Sequence, residues 1–434
     1  MVFIDVSNMV RSMDEIKDIT AILKGKSKNI LYLSYDGMTD PLGQSQVLPY
    51  LIGLTKVGFQ FHIISFEKQH RFEIHKEHIQ KICDDNNIVW HPNSYTQKSP
   101  LVTTIWDVYR MKKLAVKLNK KFNFHIVHCR SYISALVGLA MKKQFGTKFI
   151  FDMRGFWADE RIDGGLWDLK SPIFRVVYNY FKKKEISYFK NSDYTISLTQ
   201  NGKTEIESWK VFEGKPPKIQ IIPCCVDLEL FNPNTIDEKE KENLKEKLGF
   251  KNTDFILGYV GSIGTWYMLS EMLDYFKVLK KEKSSVKFLF VTGEKPDKIM
   301  KVVEQKGILS EDVIITSSLH KDVPLNISLF DSSIFFIRPT YSKKASSPTK
   351  QGEIMAMGIP LICNYGVGDT DEIVKKYKAG SVVTNFDDEN YLKVIQFPEE
   401  VNIDLMMNGA NEFYSLKEGV AKYLNVYKEV YEQK

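Results

Sequence analysis

At 434 residues the chain is long enough to bury two or three hydrophobic cores. Hydrophobic residues at 43% and charged residues at 26% exclude extensive disorder, and no run approaches the ~20 apolar residues of a bilayer span. The five cysteines (Cys83, Cys129, Cys224, Cys225, Cys363) are odd in number and lack zinc-ligand spacing, which excludes a disulfide framework or a zinc ribbon.

The first 29 residues carry a mixed-charge helical pattern with Met9, Met13, Ile16, Ile19 and Leu23 on one face. They lack a signal-peptide core, so the cytoplasm is the expected compartment. An apolar run at residues 30–34 then ends in a Gly/Pro-containing loop, residues 37–46 (GMTDPLGQSQ), followed by a helical stretch from 44 to 57. Further strands are predicted at 61–65, 126–128, 148–151, 194–197 and 219–222, with amphipathic helices between most of them, one of them at 105–121. Residues 232–254 are polar and charge-dense and read as a linker plus a surface helix. The alternation restarts at 255–260, 286–292, 313–316, 334–337 and 360–363, and the chain closes with a helix at 416–432. Short apolar runs alternating with helices predict parallel sheets covered on both faces. The expected organisation is a helical extension over 1–28, domains at 29–232 and 233–415, and a terminal helix, 416–434, that returns to the first domain. Ligands of such sheets bind beyond the carboxyl ends of the strands, so those loops are where chemistry is sought.

Charge is unevenly placed. The formal total is +6, yet residues 101–190 hold 18 Lys/Arg against 7 Asp/Glu, a local net of +11. That basic block suits an anionic partner such as phospholipid or a lipid-linked phosphate. Nucleic acid is set aside because no binding motif for it occurs.

Three loops concentrate functional residue types. The first is Ser346-Ser347-Pro348-Thr349-Lys350-Gln351-Gly352-Glu353, which puts hydroxyls and a lysine ahead of a helix and a carboxylate within it. Hydroxyls, helix N-termini and a lysine suit phosphates, and the carboxylate suits paired ribose hydroxyls. The bland alternative is a polar helix cap. The second is the strand-to-turn segment Gly258 to Trp266, where Ser262, Gly264 and Thr265 let backbone N–H groups approach a ligand. The third, Phe151-Asp152-Met153-Arg154 onward to Arg161, gathers three carboxylates, two arginines and three aromatics at the end of a strand. His128 and Arg130 end the preceding strand and are expected beside Asp152; a surface ion-pair network is the alternative. Asp369 and Asp371 have metal-pair spacing, but a following helical segment makes capping the simpler reading.

At these residues the chain resembles retaining glycosyltransferase family four, the group 1 glycosyltransferases, over roughly 29–434. The marks are the glycine loop near Gly43 and Gln44, Ile222-Pro223-Cys224-Cys225-Val226-Asp227 where the family typically has I-P-N-G-V-D, and Glu353 followed by Ala356 and Gly358-Ile359-Pro360. The resemblance implies an α/β GT-B fold, two Rossmann-like doubly wound domains facing across a cleft, the first binding acceptor and the second nucleotide-sugar. It implies a metal-independent, cofactor-free hexosyltransferase that retains anomeric configuration. The donor would be a UDP- or GDP-sugar, and the acceptor a glycan or lipid-linked molecule in cell-surface polysaccharide or glycolipid synthesis, with the protein peripheral on the inner membrane face. Glu353 matches the second glutamate of the family's E-x7-E motif, which holds the ribose. The first, which in the family helps position the transferred sugar, falls at Ala345, a departure from the family pattern. The arginine and lysine expected after the second domain's first strand are missing from 262–267, leaving Lys350 and Arg338 to supply that charge. Asp152 and Arg130 stand where many members have histidines. Competing readings are a GT-B-like epimerase or phosphorylase, and a non-catalytic partner subunit that binds nucleotide-sugar or lipid. Acceptor-dependent release of nucleotide diphosphate separates the transferase from both.

Overall fold

The computed structural model describes residues 28–96, 100–396 and 398–433. The N-terminal extension expected over residues 1–28 lies, save for Lys28, outside the described residues. The chain divides into two compact units, one of residues 28–223 with 416–433 and one of residues 224–415.

The N-terminal unit is built on seven parallel strands: β1 (Asn29–Ser34), β2 (Gln60–Glu67), β3 (Val89–Ser94), β4 (Ile126–Arg130), β5 (Lys148–Asp152), β6 (Tyr194–Ser197) and β7 (Ile219–Ile221). Their order is β3-β2-β1-β4-β5-β6-β7. Helices α1 (Pro41–Gln46) and α2 (Leu48–Thr55) follow β1, α3 (Gln69–Asp85) follows β2, and α4 (Pro100–Phe122) follows β3. After β4 comes α5 (Ser131–Phe145), after β5 come α6 (Trp157–Asp163) and α7 (Pro172–Asn191), and after β6 comes α8 (Gln200–Glu207). Right-handed crossovers in this strand order put the helices after β1 and β2 on one face and those after β3, β4 and β5 on the other. Strands β1, β4 and β5 are buried along nearly their whole length, which is why their sequences read as continuous apolar runs.

In the C-terminal unit α9 (Glu238–Lys247) precedes six parallel strands: β8 (Phe255–Val260), β9 (Val286–Val291), β10 (Val313–Thr316), β11 (Ser332–Phe335), β12 (Leu361–Asn364) and β13 (Gly380–Val383). They are ordered β10-β9-β8-β11-β12-β13. The connecting helices include α10 (Leu269–Glu282), α11 (Pro296–Gln305), α12 (Val323–Ile327), α13 (Thr349–Ala356) and α14 (Thr370–Lys376). Two more, α15 (Asp388–Gln396) and α16 (Ile403–Gly409), lead to α17 (Leu416–Glu432), which belongs to the N-terminal unit.

The unit boundary falls after Pro223, nine residues before the expected linker. Residues 224–226 are held in the C-terminal unit, where Val226 N–H donates to Tyr414 O at 2.7 Å and Val226 bridges Ser415. The charge-dense segment is instead the exposed helix α9 inside that unit, capped by the Asp237 carboxylate. Helix α17 is fixed against α2, where Gly53 lets the chains approach so closely that a Cβ there would stand 2.7 Å from the Val420 side chain.

Candidate active-site residues

In the C-terminal unit, the apolar run of β8 ends at Gly261, whose φ of 105° is open to glycine. The loop that follows is tied across to the segment after β11. Met268 N–H donates to Phe336 O at 2.9 Å, Arg338 N–H donates to Trp266 O at 3.0 Å, and Tyr267 bridges Ile337. Arg338 is thereby carried to the glycine turn with its side chain exposed. Ser262, Gly264 and Thr265 are exposed on the same turn.

Helix α13 enters this neighbourhood from below. Its N-cap is Pro348 and no side chain caps it, so the capping alternative for the serines and threonine fails. Ser347 Oγ instead accepts the Cys224 N–H at 3.2 Å, while Ser346 and Thr349 are half-buried beside it. Gly352 allows α13 to press against residues 226 and 414, since a Cβ there would meet both at 2.8 Å.

Lys350 is buried, and its Nζ donates to the Tyr259 hydroxyl at 2.9 Å. It also lies 4.0 Å from the Tyr259 ring centroid and 3.7 Å from that of Tyr267. A side chain at Gly261 would stand 3.3 Å from the same Nζ. Burial pushes the lysine well below its usual pKa range, with the Glu353 charge opposing that shift. Glu353 is half-buried one helical turn further on. Burial pushes its carboxyl up to about 7, with Lys350 pulling the other way. Lys343, which sequence reasoning missed, is a second buried lysine, its Nζ 3.7 Å from the Trp266 ring centroid. Its signal was the Lys343-Lys344 pair just ahead of Ala345. The C-terminal unit thus brings Lys350, Lys343, Arg338, Glu353, the three serines, two threonines and the glycine turn into one region. It can meet a diphosphate with cations and backbone amides, and paired hydroxyls with a carboxylate.

In the N-terminal unit, parallel register puts Arg130 of β4 opposite Asp152 of β5. His128 Nε2 is 3.6 Å from Asp152 Oδ2, and Arg154 Nη1 is 3.8 Å from Asp152 Oδ1. Arg130 Nε lies 3.5 Å from Asp36 Oδ2 on the loop after β1. All four residues named from the sequence are therefore brought together, and the surface-network alternative fails because His128, Arg130 and Asp152 are buried. Two tyrosines of α17, not foreseen, complete the group. Tyr423 O–H donates to Asp152 Oδ2 at 3.1 Å, and the Tyr427 hydroxyl is 2.7 Å from His128 Nδ1. Their sequence signal is only the heptad-like apolar face of α17.

Burial alone would raise the Asp152 pKa; Arg154, His128 and Arg130 overcome it and hold the carboxyl below its usual range. Burial lowers the His128 pKa against the pull of Asp152. Arg154 adopts a left-handed φ of 56° and is followed by Gly155 at 124°, a strained corner of the kind that accumulates at functional sites.

Gly43 and Gln44 are corrected. They sit inside α1, not in an open loop, because Pro41 starts the helix directly after the turn. Gly43 is buried against Gly37 and Met38, and Gln44 Nε2 donates to Thr39 O at 3.0 Å. The loop itself hangs on buried Glu67, which accepts Met38 N–H at 2.9 Å and Thr39 N–H at 3.0 Å. The side-chain capping read for Asp369 is also corrected: it is the N-cap of α14 by position but gives no side-chain cap. Asp371 Oδ1 accepts the Gly366 N–H at 3.3 Å.

The family model described as glycosyl transferases group 1 matches residues 240–403, and that described as glycosyltransferase family 4 matches residues 47–230. The EpsD protein of Bacillus subtilis (strain 168), which carries a glycosyltransferase name, is 23% identical over 197 residues, 45% of this chain. The match spans about half (47%) of that relative's length. Among solved structures, a glycosyltransferase of Rickettsia africae ESF-5 superposes with a TM-score of 0.67 at 19% identity, covering 94% of this chain and 99% of that one. Sucrose-phosphate synthase of Thermosynechococcus elongatus gives 0.68 at 14% identity, covering 92% and 98%. Anabaena HepE, solved in complex with UDP and glucose, gives 0.63 at 11%, covering 92% and 98%. With two parallel-sheet Rossmann-like units and both family models matched in sequence, the chain belongs to the group 1 glycosyltransferases, family-four-like and of the GT-B fold.

Proposed function

We propose that the protein transfers a sugar from a nucleotide-diphosphate donor, held by the C-terminal unit, to an acceptor hydroxyl presented by the N-terminal unit, with retention of anomeric configuration. The observation that carries this reading is the Lys350–Glu353 pair on α13, a buried lysine and a glutamate one turn apart against the glycine turn. Glu353 accepts the ribose hydroxyls. The arriving diphosphate raises the proton affinity of Lys350, whose ammonium, with Lys343, Arg338 and backbone N–H groups near Gly264, meets the charge that grows on the departing phosphate. The acceptor oxygen attacks the anomeric carbon on the face from which the diphosphate leaves. The glycosidic bond to phosphate breaks, the new bond forms, and the acceptor proton passes to the leaving phosphate oxygen.

Side-chain cations in the place of a metal make the reaction metal-independent. Asp152 orients acceptor or sugar hydroxyls, and Arg130 and Arg154 hold an acceptor that carries phosphate, which supports a lipid-linked or glycan acceptor in cell-surface polysaccharide or glycolipid synthesis at the cytoplasmic face of the membrane. UDP is the first nucleotide to test, since HepE was solved with it; GDP is the second. Acceptor-dependent release of nucleotide diphosphate, abolished in Glu353→Gln and Asp152→Asn, is the expected result. Donor conversion that needs no acceptor would overturn the proposal.

A further inference from the structure

We infer that Tyr423 and Tyr427 of α17 are positioning residues for the transfer, holding the Asp152 carboxylate so that its Oδ1 is the atom presented to the acceptor. This role rests on the proposed transferase reaction; the geometry behind it does not.

The two tyrosines lie four positions apart on α17, so their side chains share one face of the helix. Both are buried and held among other rings. Tyr50 meets Tyr423 edge to face with centroids 5.1 Å apart, and Phe59 and Phe61 stand 5.3 and 6.1 Å from Tyr427. Phenylalanine would pack at both positions without carrying a polar atom into the core. A buried hydroxyl costs free energy unless it is hydrogen-bonded, so these two are explained by what they bind. Burial also pushes both phenols well above their usual pKa range, so each keeps its proton to donate.

The hydrogen bonds have fixed directions. A carboxylate only accepts, so Tyr423 O–H donates to Asp152 Oδ2 at 3.1 Å. His128 Nε2 faces the same oxygen at 3.6 Å, and that charge favours a proton on Nε2. In the neutral ring the lone pair is then on Nδ1, which accepts the Tyr427 O–H at 2.7 Å. The imidazole is further held by Tyr32, whose ring centroid is 4.7 Å away. His128 thus turns one nitrogen to Tyr427 and the other to Asp152, and it positions the carboxylate instead of touching substrate. Asp152 Oδ1 is what remains: among the described residues it accepts no hydrogen bond. Arg130 is opposite it in the β4–β5 register. Its Nε, 3.5 Å from Asp36 Oδ2, and its Nη1 donate no hydrogen bond among the described residues. Unpaired buried polar atoms are rare in native structures, and here a donor-seeking oxygen and an acceptor-seeking guanidinium adjoin. They suit an acceptor whose hydroxyl donates to Oδ1 and whose neighbouring anionic group, such as a phosphate ester, meets Arg130.

The test uses the full chain with Tyr423→Phe and Tyr427→Phe, which keep the rings and their packing. Nitrogen-15 spectra of the histidine rings should show His128 protonated at Nε2 in wild type, with Nδ1 shifted by a hydrogen bond. In Tyr427→Phe the Nδ1 resonance should move to the position of an unbonded nitrogen. Transfer is read with UDP-glucose as donor and a polyprenyl-diphosphate-linked monosaccharide as acceptor. In each variant kcat should fall at least about tenfold, the scale of a misplaced reacting group, while UDP affinity stays at the wild-type value. A wild-type ring protonated at Nδ1, a Tyr427→Phe spectrum like that of wild type, or normal kcat in both variants overturns the proposal. So does a fall in UDP affinity that matches the fall in kcat, which would make the tyrosines merely structural. Wild type without turnover would count against the transferase reading, and the spectra would still decide the placement of the two tyrosines.

Discussion

Glu353 and Lys350 are one turn apart on α13, and burial drives both toward their neutral forms. The ionised carboxylate accepts two ribose hydroxyls where the protonated acid accepts fewer. With its pKa raised to about 7, UDP affinity should therefore rise as pH increases through neutrality. Calorimetry across that range should show the slope in wild type and its disappearance in Glu353→Gln, which should also weaken binding by about 1.5–3 kcal/mol per hydrogen bond lost. A flat wild-type profile would remove Glu353 from the ribose site. Lys350→Ala should cost roughly 2–4 kcal/mol of barrier, read from kcat/KM, the scale for one preorganised donor. Asp152→Asn and Arg154→Ala act in the other unit, so kcat should fall far more than UDP affinity. Either variant losing UDP affinity at normal turnover would reverse the assignment of units.

The elements explain why those side chains hold their places. Strands β4 and β5 end in register, so His128, Arg130 and Asp152 converge from residues 24 apart in sequence without any local motif. Helix α17 closes that group from the far end of the chain, and its seating depends on Gly53. Gly53→Ala gains helix propensity but forces a methyl against Val420, an overpacking that costs about 1–3 kcal/mol. Thermal denaturation should show a lower Tm, together with reduced turnover, because Tyr423 and Tyr427 move with α17. Unchanged Tm would mean the helix shifts freely. The two strands absent from the sequence reading, β3 and β13, are both sheet edges. Strand β3 contains Pro92 and only two successive apolar residues, and β13 opens on Gly380, so neither presents the run that a strand buried among neighbours must have. The predicted single helix at 44–57 is broken at Val47, whose φ of −131° ends α1 before Pro49 sits in the first turn of α2.

At the scale of the molecule, the proposed chemistry places its positive charge in side chains. Wild-type activity should survive EDTA, and magnesium or manganese should not raise it. An enzyme that stops in EDTA and recovers with either ion would overturn the phosphate assignments of Lys350, Lys343 and Arg338 together. Among the described residues no helix is long and apolar enough to cross a membrane.

The sequence by itself determined the architecture, because strands buried on both faces must be apolar throughout and the helices between them must be amphipathic. It also put Lys350 and Glu353 three positions apart on one helix, where they meet by local geometry alone. Only the tertiary structure decided which groups are buried. The tyrosines around Lys350, the Lys343–Trp266 contact and the tyrosines of α17 beside Asp152 all arise from residues distant in sequence. Burial sets the pKa directions, and burial is a property of packing between elements that no local pattern encodes.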